Sequence, residues 1–141
     1  MIKLERLPAN ILSRIPEVKR VLVQDDNVVF AYIFGGLAEG KVKPLSDIDI
    51  SVYLRDTDNL AEYKLQLFNM LTDVLRTSEL DLVILNTAPI SITGRILQNK
   101  QILVDKEPPI RHTYESLTLR KFFDFRVKED ALFSMRYGVG R

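Results

Sequence analysis

The chain has 141 residues, of which 46% are hydrophobic and 28% charged, a composition that fits one globular domain of ordinary size. With 20 Lys and Arg residues against 19 Asp and Glu residues, the formal charge is +1, so no whole-molecule field favours nonspecific binding to nucleic acid or membranes. Cysteine is absent, which excludes disulfides, thiolate metal sites and a cysteine nucleophile. Because His112 is the only histidine, a metal would need carboxylate ligands, which favour Mg²⁺ or Mn²⁺ over Zn²⁺.

Hydrophobic periodicity and turn residues predict alternating helices and strands, as in an α/β or α+β domain. The longest apolar run, residues 28–34, is far shorter than the roughly 20 residues of a membrane helix, and the N-terminus does not resemble a signal peptide. The cytoplasm is therefore the expected compartment. In chain order, the predicted elements are a helix over residues 8–23 interrupted at Pro16, strands over 28–34 and 48–54, a helix over 60–76, a strand over 80–85, a helix over 89–99, a strand over 101–104 and, beyond the break predicted at Pro108 and Pro109, a helix over 114–133.

The second predicted strand carries two carboxylates on one face. Strict alternation over residues 48–54 places the aliphatic side chains on one face and Asp47 and Asp49 on the other. Adjacent anions repel each other unless a cation lies between them, and a hard divalent ion takes oxygen ligands. Alternation in the next strand puts Asp81 on the face where an adjacent strand would bring it beside the first pair. The pattern predicts a Mg²⁺ or Mn²⁺ site made by these three carboxylates.

Two glycines follow the first predicted strand and precede a predicted short helix. At Gly35 and Gly36, backbone N–H groups can approach a phosphate closely, and the helix N-terminus would attract the same anion. A phosphate cradle next to metal-binding carboxylates is the arrangement that nucleotidyl transfer requires. The pattern therefore predicts a nucleoside triphosphate as the ligand.

Together these residues resemble a known family. Gly35 and Gly36, ten intervening residues, the pair Asp47 and Asp49, and the further acid Asp81 resemble the nucleotidyltransferase fold shared with DNA polymerase β. The small size of the chain and the lack of an obvious second catalytic domain make it similar to the minimal nucleotidyltransferases, particularly the MntA-type antitoxins of bacteria and archaea.

The resemblance implies a small mixed sheet with helices packed on it, with residues 1–107 as the nucleotidyltransferase domain and residues 108–141 as a C-terminal helical extension packed on the same domain. It implies an enzyme that takes ATP with Mg²⁺, as two ions with Mn²⁺ as a substitute, and transfers AMP to a hydroxyl. In the antitoxin branch, the acceptor is a tyrosine of a helical HEPN-domain RNase toxin encoded beside the antitoxin, and the modification silences the toxin. The implied partners are this toxin and ATP, in a homo- or hetero-oligomer, with no membrane and no direct nucleic acid contact.

The resemblance also implies roles for single residues. Asp47 and Asp49 would bind the metal ions, and Asp81 would complete the metal site and act as, or assist, the base. The implied nucleotide-binding residues are Gly35 and Gly36, which would hold phosphates, and Ser46, which would support the loop.

One position departs from the family motif. Glu39 stands before Gly40, where many members have Arg or Lys. The acid could point to solvent while Lys41 or Lys43 provides the positive charge, or it could weaken the binding of the triphosphate.

Two other function classes stay open. The chain could be a noncatalytic module that neutralises a partner by contact, which its small size and Glu39 favour. It could also transfer AMP to a small molecule or an RNA end, although no second domain is visible to complete a small-molecule pocket and only the C-terminal tail is basic.

Three further patterns have simpler interpretations. The segment from Gly35 to Lys41 imitates a P-loop, but Val42 replaces the required Ser or Thr and Pro44 would break the helix. His112 resembles part of a HEPN RNase motif without its upstream arginine, so a surface histidine is predicted. The aromatic tail is predicted either to pack on its own core or to form a docking face.

Overall fold

The computed structural model describes residues 11–35 and 48–137 of the chain. Three predicted site residues, Gly36, Ser46 and Asp47, lie outside the described residues. In chain order, the elements are a 3₁₀ turn Ile11–Arg14, α1 Ile15–Gln24, β1 Val28–Phe34, β2 Ile48–Leu54, α2 Leu60–Leu75, β3 Leu80–Ile84, α3 Ile90–Gln98, β4 Lys100–Asp105 and α4 Pro108–Tyr137.

The positions of the prolines explain why one predicted helix boundary is correct and another is wrong. Pro16 lies in the first turn of α1, directly after the 3₁₀ turn, so the predicted interruption of the first helix is confirmed. Pro108 and Pro109, by contrast, were predicted to precede the last helix at a distance, and this boundary is wrong because α4 begins at Pro108. Proline fits the first turn of a helix, where its missing N–H has no intrahelical partner to lose.

The strands form one mixed sheet in the order β3-β2-β1-β4. β1 runs antiparallel to both β2 and β4, whereas β2 and β3 are parallel. The predicted mixed sheet with helices packed on it is therefore confirmed. This order brings the end of β1 and the starts of β2, β3 and β4 to the same edge of the sheet.

The two faces of the sheet have separate cores. On one face, α1 and α2 pack on alternate strand residues, and every buried member of that cluster is aliphatic. On the other face, α3 and the first part of α4 pack on a cluster centred on the side chains of Phe30 and Tyr32. The Phe30 ring stacks on the Tyr53 ring with centroids 4.8 Å apart, and Tyr114 of α4 leans against both rings. Alternation along β2 thus directs Asp49 and Tyr53 to the face that α3 and α4 cover.

Helix α4 packs over only part of its length. Phe122 is 3% exposed and lies so close to α3 that a β-carbon at Gly94 would overlap its ring. Beyond this contact, the side chains of Phe123, Val127 and Met135 are 54%, 67% and 84% exposed. The predicted packing of the aromatic tail on its own core is confirmed for the first half of α4. The second half presents apolar side chains to solvent, and the docking face stays a prediction. Within the described ranges, no helix has the length and apolar character needed to cross a membrane.

Candidate active site

Two of the three predicted carboxylates lie side by side. Asp49 on β2 and Asp81 on β3 are register partners in the parallel pair, and neighbouring strands lie about 4.8 Å apart. Both residues alternate with buried aliphatic residues of the α1 and α2 face, so both side chains leave the sheet on the opposite face. Asp49 is half-buried and Asp81 is exposed. The structure thus brings the two acids together at the edge where β2 and β3 begin.

Gly35 places the end of β1 directly against Asp49. Its backbone has a φ of +73°, in the left-handed region that favours glycine. A β-carbon at this position would overlap Oδ2 of Asp49. Glycine is therefore required twice here, by the backbone conformation and by the close approach of the carboxylate. The first glycine of the predicted phosphate cradle is in contact distance of the predicted metal ligand.

The site edge forms a row of four side chains across all four strands. Asp81 pairs with Asp49, Asp49 pairs with Phe34, and Phe34 pairs with Lys100 at the start of β4. We call these four residues the site row. Two negative charges stand at one end of the row, an aromatic ring lies between, and a positive charge stands at the other end. Lys100 was not among the residues that sequence reasoning selected.

Behind the site row, a group of buried and half-buried polar residues ties α4 to the sheet. We call it the Glu115 cluster, and it comprises Tyr32, Lys100, Asp105, Arg111 and Glu115. The Tyr32 hydroxyl donates to Glu115 Oε2 at 2.6 Å, and Arg111 Nη1 donates to both Glu115 oxygens at 3.1 and 3.2 Å. Arg111 Nε lies 2.9 Å from Asp105 Oδ2, and Lys100 Nζ lies 3.6 Å from Glu115 Oε2.

The cluster shifts the pKa values of Glu115 and Tyr32 in opposite directions. Burial raises the pKa of Glu115, but the hydrogen bonds from Tyr32 and Arg111 and the charges of Lys100 and Arg111 outweigh it, so this pKa lies below its ordinary value. Burial and the bond to Glu115 raise the pKa of Tyr32, which keeps its hydroxyl protonated as the donor. The result is an ionised carboxylate held by neutral and cationic donors.

The donor chemistry of the edge fits a hard divalent cation. Asp49 and Asp81 offer carboxylate oxygens, which Mg²⁺ and Mn²⁺ prefer. Among the described residues, no three acidic or histidine side chains converge as a metal-binding group, and the predicted third ligand, Asp47, is not one of these residues. His112 is exposed on α4 with its Nε2 atom 3.1 Å from Arg111 Nη2, as predicted for a surface histidine.

The sequence of the chain, compared with known families, identifies its class. The sequence matches the family model described as Polymerase beta, Nucleotidyltransferase over residues 16–109, which is two thirds of the chain. The chain therefore belongs to this family. The match contains every predicted site residue and ends next to the first residue of α4.

Solved structures of toxin–antitoxin complexes share the fold. A tri-AMPylated Shewanella oneidensis HEPN toxin in complex with the MNT antitoxin matches with a TM-score of 0.69 and 20% identity, covering 88% of this chain and 96% of that chain. A toxin–antitoxin complex with AMP-PNP matches with a TM-score of 0.70 and 23% identity, covering 86% and 94%. The toxin–antitoxin pair MntA-HepT matches with a TM-score of 0.67 and 21% identity, covering 87% and 96%. A search of curated proteins by sequence found no match.

Proposed function

We propose that this chain transfers AMP from ATP to a tyrosine hydroxyl of a HEPN-domain RNase toxin and thereby acts as the antitoxin. The observation that carries the proposal is the pairing of Asp49 and Asp81 against Gly35 in a chain of the nucleotidyltransferase family. The nature of acceptor and donor is supported by the structures of the same fold, which are described as a complex of a tri-AMPylated HEPN toxin and a complex with AMP-PNP.

In the proposed reaction, the tyrosine oxygen bonds to the α-phosphorus of ATP, the bond from that phosphorus to the bridging oxygen breaks, and pyrophosphate leaves. Asp81 takes the proton of the hydroxyl, or assists its removal, and its exposure leaves room for an acceptor from a partner protein. Asp47, Asp49 and Asp81 would hold two Mg²⁺ ions, with Mn²⁺ as a substitute. When bound, these ions neutralise phosphate charge and lower the pKa of the attacking hydroxyl.

The proposal also assigns the phosphate-binding residues, the domain bounds and the compartment. Gly35 and Gly36 would receive phosphates through backbone N–H groups, and Ser46 would support their loop. Residues 1–107 would form the catalytic domain, with residues 108–141 as an extension that the Glu115 cluster fastens to it. The cytoplasm, where ATP and an RNase toxin would both occur, is the proposed compartment.

Contact alone is the second candidate function. It is favoured by the exposed apolar side chains on the second half of α4, because exposed apolar surface of this kind is typical of protein interfaces. In this alternative, the chain covers the toxin without modifying it.

Intact-protein mass spectrometry tests the proposal. The chain and its co-expressed helical partner are incubated with ATP and Mg²⁺, and Asp49→Asn is compared with the matched control Asp73→Asn, an exposed acid on α2 at the other face of the sheet. We expect the partner to gain one or more AMP units with the wild type and the control, and a loss of about a hundredfold or more in rate with Asp49→Asn. Stable association without any gain in mass would refute transfer to this partner and favour contact alone.

A further inference from the structure

The site row separates negative and positive charge in a definite direction. The carboxylates of Asp81 and Asp49 mark the end at which the α-phosphorus would react. Gly35 follows the next strand of the row, and the phosphates that leave would lie toward it. Lys100 is one strand further in the same direction, beside Phe34. A nucleotide aligned along the row would therefore direct its pyrophosphate end toward the Lys100 ammonium.

The ammonium group of Lys100 is partly buried, yet its contacts in the structure are weak. Its side chain is 21% exposed, and Nζ lies 5.4 Å above the centre of the Tyr32 ring. The 3.6 Å separation from Glu115 is longer than a hydrogen bond. Glu115 accepts shorter bonds from Tyr32 and Arg111, so this carboxylate keeps good partners if the lysine moves. An ammonium group on a flexible stem can thus exchange Glu115 for a ligand at little cost.

We infer that Lys100 binds the β- and γ-phosphates of ATP, and that Glu115 holds the lysine beside the site when no nucleotide is bound. The inference rests on the proposed function, because it takes ATP as the ligand.

The test measures binding of MgATP and of AMP to the full chain by calorimetry. Lys100→Met should weaken MgATP binding about tenfold or more, the loss expected for one charge-assisted hydrogen bond, and should change AMP binding less than about twofold. Lys100→Arg should keep most of the affinity because it keeps the charge. Lys64→Met is the matched control, since Lys64 is exposed on α2 at the opposite face of the sheet.

A second variant separates phosphate binding from a merely structural role. Glu115→Gln removes the carboxylate that competes for Lys100, so MgATP should bind about twofold to fivefold more tightly, the range expected for the release of one long, partly exposed ion pair. If Lys100 only fastened α4, both Lys100→Met and Glu115→Gln would weaken binding. Thermal unfolding monitored by circular dichroism confirms that each variant is folded at the temperature of the titration.

The possible results are distinguishable. Opposite effects of Lys100→Met and Glu115→Gln on MgATP affinity, with AMP unaffected, support the inference. Wild-type affinity in Lys100→Met overturns the inference and leaves the proposed transferase intact. Failure of the wild type itself to bind MgATP refutes the proposed function and removes the basis for the inference.

Discussion

The two faces of the sheet are built from different chemistry. On the face covered by α1 and α2, every fully packed side chain is aliphatic, from Leu22 of α1 to Leu71 of α2. On the face covered by α3 and α4, aromatic rings, a shared carboxylate and the predicted metal ligands occupy the same surface. Aliphatic packing is non-directional and depends on buried area, whereas the hydrogen bonds and charges of the other face work only at fixed distances and angles.

Because the two faces rely on different interactions, stability and function are separable in this small domain. The aliphatic face can support the sheet without regard to any ligand, and the polar face uses that support to hold groups that would otherwise repel or move. Substitutions on the first face should therefore lower the free energy of unfolding and spare the chemistry. Substitutions at the site edge should lower the transfer rate and leave the free energy of unfolding nearly unchanged.

The largest expected effect is on the aliphatic face. Leu71 is fully buried in α2, and Leu71→Ala leaves a cavity in the aliphatic core, so the free energy of unfolding should fall by about 3 kcal/mol. Leu65 on the same helix is 61% exposed, and Leu65→Ala should change stability by less than about 0.5 kcal/mol. Urea denaturation measures both, and the transfer rate per folded molecule should stay at the wild-type value. A lower rate in folded Leu71→Ala would show that the two faces are coupled.

How much of this division could be predicted depends on the distance along the chain between interacting residues. Alternation within β2 and within β3 is local, and it placed Asp49 and Asp81 on one face before their register was known. The position of Lys100 in the site row was hidden because it depends on how β4 pairs with β1, where the register shifts between Ala31 and Tyr32. No local pattern reports such an irregularity.

The Glu115 cluster could not be predicted from local sequence patterns either. Tyr32 and Glu115 are 83 residues apart in sequence, and their bond requires the complete sheet and α4. One part of the cluster had a local signal, since Arg111 and Glu115 are four residues apart and face each other on a helix. The predicted start of the helix lies after Arg111, so this pair falls outside it; α4 begins at Pro108 instead, because proline fits the first turn of a helix as well as it fits a break.

The next largest effect is expected from alanine substitutions at two glycines. Gly35→Ala forces a β-carbon into Asp49 Oδ2 and an alanine into left-handed backbone, so the carboxylate must shift and the transfer rate should fall about a hundredfold. Gly94→Ala is its counterpart, because the new methyl meets the Phe122 ring between α3 and α4 instead. It should lower stability by about 1 to 3 kcal/mol while the rate per folded molecule is kept. Equal loss of rate in both variants would contradict the role assigned to Asp49.

The smallest expected effect concerns acid stability on the polar face. The pKa of Glu115 in the folded chain lies below its ordinary value of 4.5, because bonds from Tyr32 and Arg111 and the charge of Lys100 outweigh the effect of burial. The folded state therefore takes up this proton at lower pH than the unfolded state. The stability gained from the ionised carboxylate is complete well above pH 4.5 and is lost as the pH falls through the folded-state pKa.

Denaturation curves at a series of pH values from neutral to acid test this linkage. The free energy of unfolding should fall more steeply below pH 4.5 in the wild type than in Glu115→Gln, which has no carboxylate to protonate at this position. Glu129→Gln, an exposed acid on the same helix, is the matched control and should follow the wild type. Identical acid profiles in the wild type and Glu115→Gln would mean that the cluster does not stabilise the ionised carboxylate. In that case, the attachment of α4 to the sheet would not depend on the charge of Glu115, and its other contacts, such as the ion pair between Arg111 and Asp105, would hold the helix.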